Sequence, residues 1–223
     1  MRVIIWSALV ALLGTAGLAY WQRDLVSAWF TPGSSVIVAQ RPVLASAPQQ
    51  QDARGRLAAA ALAQVGVTTG YDPAYIGLAY PGGDVPADRG VCSDVVVRAF
   101  RVVGWDLQRC LHEDMTGNFT AYPTRWGLSR PDANIDHRRV LNLMTWFDRQ
   151  GWSVRVTTRA EDYQAGDIVA WDLGGGLAHI GVVVPDSQGR PCIVHNIGQG
   201  AQHEDVLFAW VQIGHYRVQA ARQ

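Results

Sequence analysis

The chain has 223 residues, 48% of them hydrophobic and 17% charged, and its 19 cationic and 19 acidic side chains cancel. That length fits one domain with a short appendage, and the zero balance excludes a protein that grips nucleic acid through its phosphates. Every cation is an arginine, which excludes chemistry that needs a lysine, such as a Schiff base or a phosphate-loop lysine.

Residues 3–22 (VIIWSALVALLGTAGLAYWQ) carry no charge and are long enough to span a bilayer as a helix. Arg2 stands on the near side and the balanced pair Arg23 and Asp24 on the far side, so the following chain is expected outside the cytoplasm. Gly17, Leu18 and Ala19 also offer a cleavage site. Residues 1–30 are therefore read as a membrane anchor or a signal segment, with the hydrophobic length favouring the anchor. Residues 31–52, rich in Pro, Gly, Ser, Ala and Gln, read as a flexible linker. The folded domain is expected over residues 53–223.

Within the domain, Ala58, Ala61, Leu62 and Val65 recur at helical spacing, with Gly66 as a stop. A second helix, with Val96, Ala99, Phe100 and Val103 on one face, follows Cys92. A third, with Val140, Leu143, Met144 and Phe147, is expected to start after Asp136 as N-cap and to end at Gly151. Beyond Gly151 come β-branched runs at 153–158, 167–172, 179–184, 192–197 and 205–218, separated by turn residues. Helices followed by a meander of strands predict an α+β fold, with N-terminal helices packed on an antiparallel sheet.

The three cysteines, at 92, 110 and 192, lack zinc-site spacing and cannot all pair with one another. Cys92 stands where a glycine turn enters the second helix, and the orphan N–H groups and positive dipole there favour a thiolate. A small buried residue is the competing reading. Cys192, in an apolar strand, reads as a buried hydrophobe, and Cys110 has no local reason for activation. His179 opens the apolar run HIGVVV after a glycine loop, where an imidazole can exchange protons, and His195 lies one strand later. Either histidine alone would more simply be a satisfied core or surface residue. A cysteine on a helix followed by a base and an orienting group on successive strands is a thiol-hydrolase order. Adjacent strand residues face opposite ways, so only one of His195 and Asn196 can turn to His179.

Other clusters are read conservatively. His112, Glu113, Asp114, Asp136 and His137 lack metal-ligand spacing and read as a solvated loop and a capped helix start. Arg138 and Arg139 read as a polar helix face, although a bidentate clamp on a carboxylate is conceivable from their chemistry. Asp84, Asp88 and Arg89 are close enough to Cys92 in the chain to line its cleft.

Residues 71–100 (YDPAYIGLAYPGGDVPADRGVCSDVVVRAF), 112–139, 165–183 (AGDIVAWDLGGGLAHIGVV) and 195–217 resemble the bacterial domain-of-unknown-function family 1287. That family is in turn similar, more distantly, to the NlpC-type and CHAP-type cell-wall cysteine peptidases and amidases. The resemblance implies a papain-like fold and peptidoglycan amide bonds as the target. It implies Cys92 as nucleophile, His179 as base, and His195, in preference to Asn196, as the third member. Tyr80, about a dozen residues upstream of the cysteine, matches the family's tyrosine, with Tyr75 as the weaker substitute. Tyr80, Asp88, Asp94 and Asn196 are accordingly expected to contact substrate. One departure is that the usual Asp-Cys-Ser-Gly reads Val91-Cys92-Ser93-Asp94, with the carboxylate after the sulfur rather than before it.

The expectation is a cell-envelope cysteine hydrolase on the periplasmic side of the membrane, using no cofactor or metal. Its expected partners are peptidoglycan and, through the N-terminal segment, the inner membrane, with no nucleic acid. An acyltransferase with the same triad and a non-catalytic wall-binding or assembly module are the alternatives.

Overall fold

The computed structural model describes residues 47–219, so the anchor or signal segment read at 1–30 and most of the linker lie outside the described residues. Among the described residues, no helix is long and apolar enough to cross a membrane. Within those residues four α-helices come first: α1 (Ala47–Leu62), α2 (Cys92–Val102), α3 (Leu107–Asn118) and α4 (Val140–Arg149). Between α1 and α2, β1 (Gly70–Tyr71) pairs in parallel with β2 (Arg89–Gly90). The main sheet follows, with β3 (Ile168–Asp172), β4 (Ala178–Pro185), β5 (Pro191–Asn196), β6 (Ala201–Glu204) and β7 (Val211–Tyr216) in the antiparallel order β6-β5-β4-β3-β7. The architecture is α+β.

Several elements depart from the sequence reading. Residues 47–52, expected as linker, open α1, because alanine and glutamine are good helix formers and Pro48 sits in a first turn, where no N–H partner is lost. The buried stripe of α1 is Leu57, Ala58 and Ala61, continued past the helix end by Gln64, whose Nε2 donates to the Val95 carbonyl at 2.9 Å. Leu62 and Val65, expected in the stripe, are exposed. Helix α3 runs through His112, Glu113 and Asp114, expected as a solvated loop. Asp106 caps it by accepting the Gln108 N–H, and Leu107, Leu111 and Met115 bury one face at i, i+4 and i+8. Asp136 does not cap α4. It opens a 3₁₀ turn, Asp136–Arg138, and the cap position belongs to Arg139. The run at 153–158 makes only a bridge from Ser153 to Tyr216, and the last strand begins at Val211 because residues 206–209 form a turn closed by Ala209 N–H to Val206.

Period-two alternation gives the sheet two apolar faces. Ile168, Ala170, Ile180, Val182, Val184, Val194 and Tyr216 join the helices in the main core. There Phe100 of α2 stacks on Phe147 of α4 and on Trp152, with ring centroids 5.7 and 5.9 Å apart. Val169, Trp171, Val183 and Ile193 form a smaller core on the other face, beneath Tyr163, Leu207 and Trp210. Trp171 keeps its indole N–H satisfied by donating to the Leu207 carbonyl at 3.0 Å.

Gly181 is the residue of β4 that lets β5 lie close. A Cβ there would stand 2.6 Å from Ile193 Cγ2, 3.0 Å from the Val194 carbonyl and 3.1 Å from His195 Cβ. Gly181→Ala is expected to destabilise the protein by about 1–3 kcal/mol through overpacking, read by chemical denaturation. A variant as stable as the parent would show that the strands part without cost.

Candidate active site

Helix α2 starts at Cys92, with Val91 as its N-cap residue. Valine cannot cap, so the turn is held from the third helical position, where Asp94 accepts the Val91 N–H at 2.7 Å. Asp94 is buried and takes the Arg138 guanidinium with both oxygens, at 3.0 Å from Nε to Oδ1 and 3.0 Å from Nη2 to Oδ2. The same guanidinium donates to the carbonyls of Ala74 (2.9 Å) and Asp72 (3.0 Å), and Ser93 Oγ donates to the Arg138 carbonyl at 2.7 Å. One buried ion pair thus ties the head of α2 to the 72–74 loop and to the turn before α4.

The thiol lies at the floor of a pocket of about 370 Å³ whose walls include Tyr71, Arg125, Trp126, Arg139 and Leu177. Only 6% of Cys92 is exposed. The Ile180 N–H points at the sulfur and, with the N–H groups at the head of the helix, favours the thiolate. Burial outweighs them and pushes the thiol up to about 11, with the Asp94 carboxylate adding in the same direction. Position at a helix N-terminus by itself predicts the opposite direction. The dipole is overruled by desolvation.

Alternation along β4 sends Ile180 into the helix-side core, whereas the ring of His179 turns toward Trp171 and Trp210, with centroids 5.9 Å away in each case. Its Nε2 lies 2.7 Å from His195 Nδ1, and His195 Nε2 lies 2.9 Å from Glu204 Oε2 on β6. His195, rather than Asn196, is the residue that meets His179. The tautomers follow in order. A carboxylate only accepts, so His195 carries its proton on Nε2 and accepts on Nδ1. His179 then carries its proton on Nε2, and its Nδ1 is left as a basic lone pair. Burial holds the His179 imidazolium down to about 3, with His195 adding to the effect. It also lowers His195, against the pull of Glu204. The resting site is therefore thiol and neutral imidazole. The sulfur meets the backbone of the residue after His179, and among the described residues no hydrogen bond joins the two side chains.

The other expected contacts are placed differently. Tyr80 is 45% exposed and packs edge-on against His112 of α3, with Glu113 and Asp106 as its charged neighbours rather than Cys92. Tyr75 donates its hydroxyl to Asp132 at 3.0 Å. The tyrosine of the pocket is Tyr71 on β1. Its phenol is raised first by burial and then by Cys92 itself. No spacing argument identified it, and only the β1–β2 pairing, which runs β1 beside the turn before Cys92, brings it there. Asp88 is a surface partner of Arg89. Asp94 is consumed by Arg138 and is unavailable to a ligand. Asn196 is buried and structural, its Nδ2 donating to the carbonyls of Gly70 (3.0 Å) and Gly90 (2.9 Å). Arg138, read as part of a polar face, is buried in the pair with Asp94. Nothing in the sequence singles out Glu204, which falls in a short polar run without strand character. Among the described residues no cluster fit to hold a metal ion is present.

Two consequences are measurable. Replacing Arg138 by Leu leaves the Asp94 carboxylate buried without a partner and is expected to cost about 3–5 kcal/mol, read by denaturant titration. A loss below about 1 kcal/mol would mean that water reaches Asp94 and the pair is not structural. Secondly, His179 and His195 are held neutral in the native state, and His137 is likewise depressed to about 4 by burial. As pH falls below the ordinary histidine value of 6.5, the unfolded chain takes up protons that the native chain refuses. Stability is expected to be complete above that pH and to fall steadily below it, with a shallower slope in His179→Gln. An unchanged slope in that variant would place the titration elsewhere.

A thiol at the head of a helix, in a small pocket, and a buried histidine pair backed by a carboxylate on the adjoining strands mark an α+β domain with a candidate site. A family model described as Domain of unknown function (DUF1287) matches residues 58–218, and the chain belongs to that family. The chain is 60% identical over 156 residues to "Uncharacterized protein YijF" of Escherichia coli (strain K12), an overlap covering 69% of this chain and 76% of that protein.

Proposed function

We propose that the protein is a thiol-dependent hydrolase of the cell envelope, with a papain-like arrangement, that cleaves amide or peptide bonds of peptidoglycan stem peptides. The observation that carries the reading is the chain from Glu204 through His195 to His179. It leaves a single basic nitrogen on His179, next in sequence to the residue whose N–H addresses the Cys92 sulfur. The resemblance to NlpC-type peptidases read from the sequence implies the same roles.

In this mechanism the sulfur bonds to the carbonyl carbon as its proton passes to His179 Nδ1, and the charge gained is shared along the relay to Glu204. N–H groups at the head of α2 hold the oxyanion, with the Tyr71 hydroxyl in the role that the family likeness gave to Tyr80. The imidazolium then protonates the leaving amine as the C–N bond breaks. Water, losing a proton to the same ring, opens the thioester and returns the thiol. An amine in place of water would make the reaction an acyl transfer. The N-terminal segment would tether the domain on the periplasmic side.

One observation favours a second reading. The uncharged, buried resting thiol suits a pocket that binds wall peptides without cutting them. The two part on incubation with purified sacculi, with released fragments identified by mass spectrometry. Hydrolysis predicts fragments with the parent, none with Cys92→Ala, and a rate lowered about 10²–10⁴-fold in His179→Ala. Equal release by the parent and Cys92→Ala removes the thiol mechanism. No release by either, with retained binding to sacculi, selects the second reading.

A further inference from the structure

Among the described residues, the walls of the Cys92 pocket carry three arginines, at 125, 138 and 139, and no acidic side chain. Arg138 is spent on Asp94, and Arg139 shares Asp136 at 2.8 Å. Arg125 is exposed, its Nη1 donates to the Gly176 carbonyl at 3.3 Å, and among the described residues it forms no ion pair. Arg139 and Arg125 both stand by the ring of Trp126, with their guanidinium carbons 4.5 and 5.9 Å from its centroid. A guanidinium stacked on an aromatic keeps its N–H edge free for a planar partner, and that edge matches a carboxylate. The pocket is small for a ligand site, so a group held at this wall lies near the sulfur.

From this geometry we infer that the ligand bound beside Cys92 carries a carboxylate, gripped by Arg125 and Arg139 against Trp126. The substrate class is thus an acidic peptide or acyl group rather than a neutral one. The inference rests on the hydrolase reading for the word substrate, whereas the anion site itself stands on the pocket alone.

The test uses the full-length protein labelled with ¹⁵N at tryptophan. The Trp126 indole signal is assigned through Trp126→Phe and followed by NMR during titration with N-acetylglutamate or with its neutral diamide. The expected result is a saturable shift with the carboxylate, roughly tenfold tighter than with the diamide, weakened by added salt and abolished in Arg125→Glu. Because Arg125 is exposed, that variant is expected to keep the tryptophan spectrum of the folded parent. Equal response to both probes, no response to either, or a shift unaffected by Arg125→Glu would each overturn the inference. The sacculus experiment fails separately. Carboxylate binding at Trp126 together with thiol-independent release would leave the anion site standing and remove the hydrolase.

Discussion

The buried pair of Asp94 and Arg138 is the constraint on which the candidate site depends. Three segments meet at it: the head of α2, the loop after β1, and the turn before α4, whose next residue, Arg139, stands on the pocket wall. Such a pair gains little net stability over a well-packed apolar substitute, because both charges leave water. Its effect is positional. With Val91 unable to cap, the first turn of α2 is held by Asp94 together with the Ser93 hydroxyl on the Arg138 carbonyl, and Cys92 is the first residue of that turn. The carboxylate displaced to the far side of the cysteine thus acquires a structural meaning, as the group that orients the turn carrying Cys92.

The sheet divides the remaining parts. Alternation along β4 and β5 commits Ile180 and Val194 to the helices, and His179 and His195 to the aromatic side, where Trp171 and Trp210 exclude water around them. Exclusion of water holds both rings neutral and the sulfur protonated. Glu204, half exposed at the outer end of the relay, is the point where this dry interior meets solvent. A charge formed on His179 would have its counter-charge two hydrogen bonds away, which allows a site that is uncharged at rest to carry an imidazolium transiently.

The elements legible in the sequence were those whose signal is local. The periodicity of α2 and α4, the strand runs at 168–172, 179–184 and 192–196, and the glycine stop after α4, where Gly151 adopts a φ of 72°, are readable from neighbours within a turn or two. Helix α3 is hard to read because its apolar positions are interleaved with His112, Glu113 and Asp114, and β6 because Ala201–Glu204 is short and polar. Both are held in place by partners remote in the chain. Asp114 is clasped by Arg149 of α4, and β6 pairs with β5.

The same division runs through the site. The positions of Cys92 at a helix start and of His179 and His195 on neighbouring strands follow from residue order alone, because helix entry and strand alternation are properties of consecutive residues. Which tyrosine enters the pocket, which of His195 and Asn196 turns to His179, that Glu204 completes the relay, and that Asp94 and Arg138 are partners rather than ligand contacts were decided by tertiary structure. Each of these is a pairing between segments tens of residues apart, fixed by strand register and by the need to neutralise or hydrogen-bond every group that packing has taken out of water.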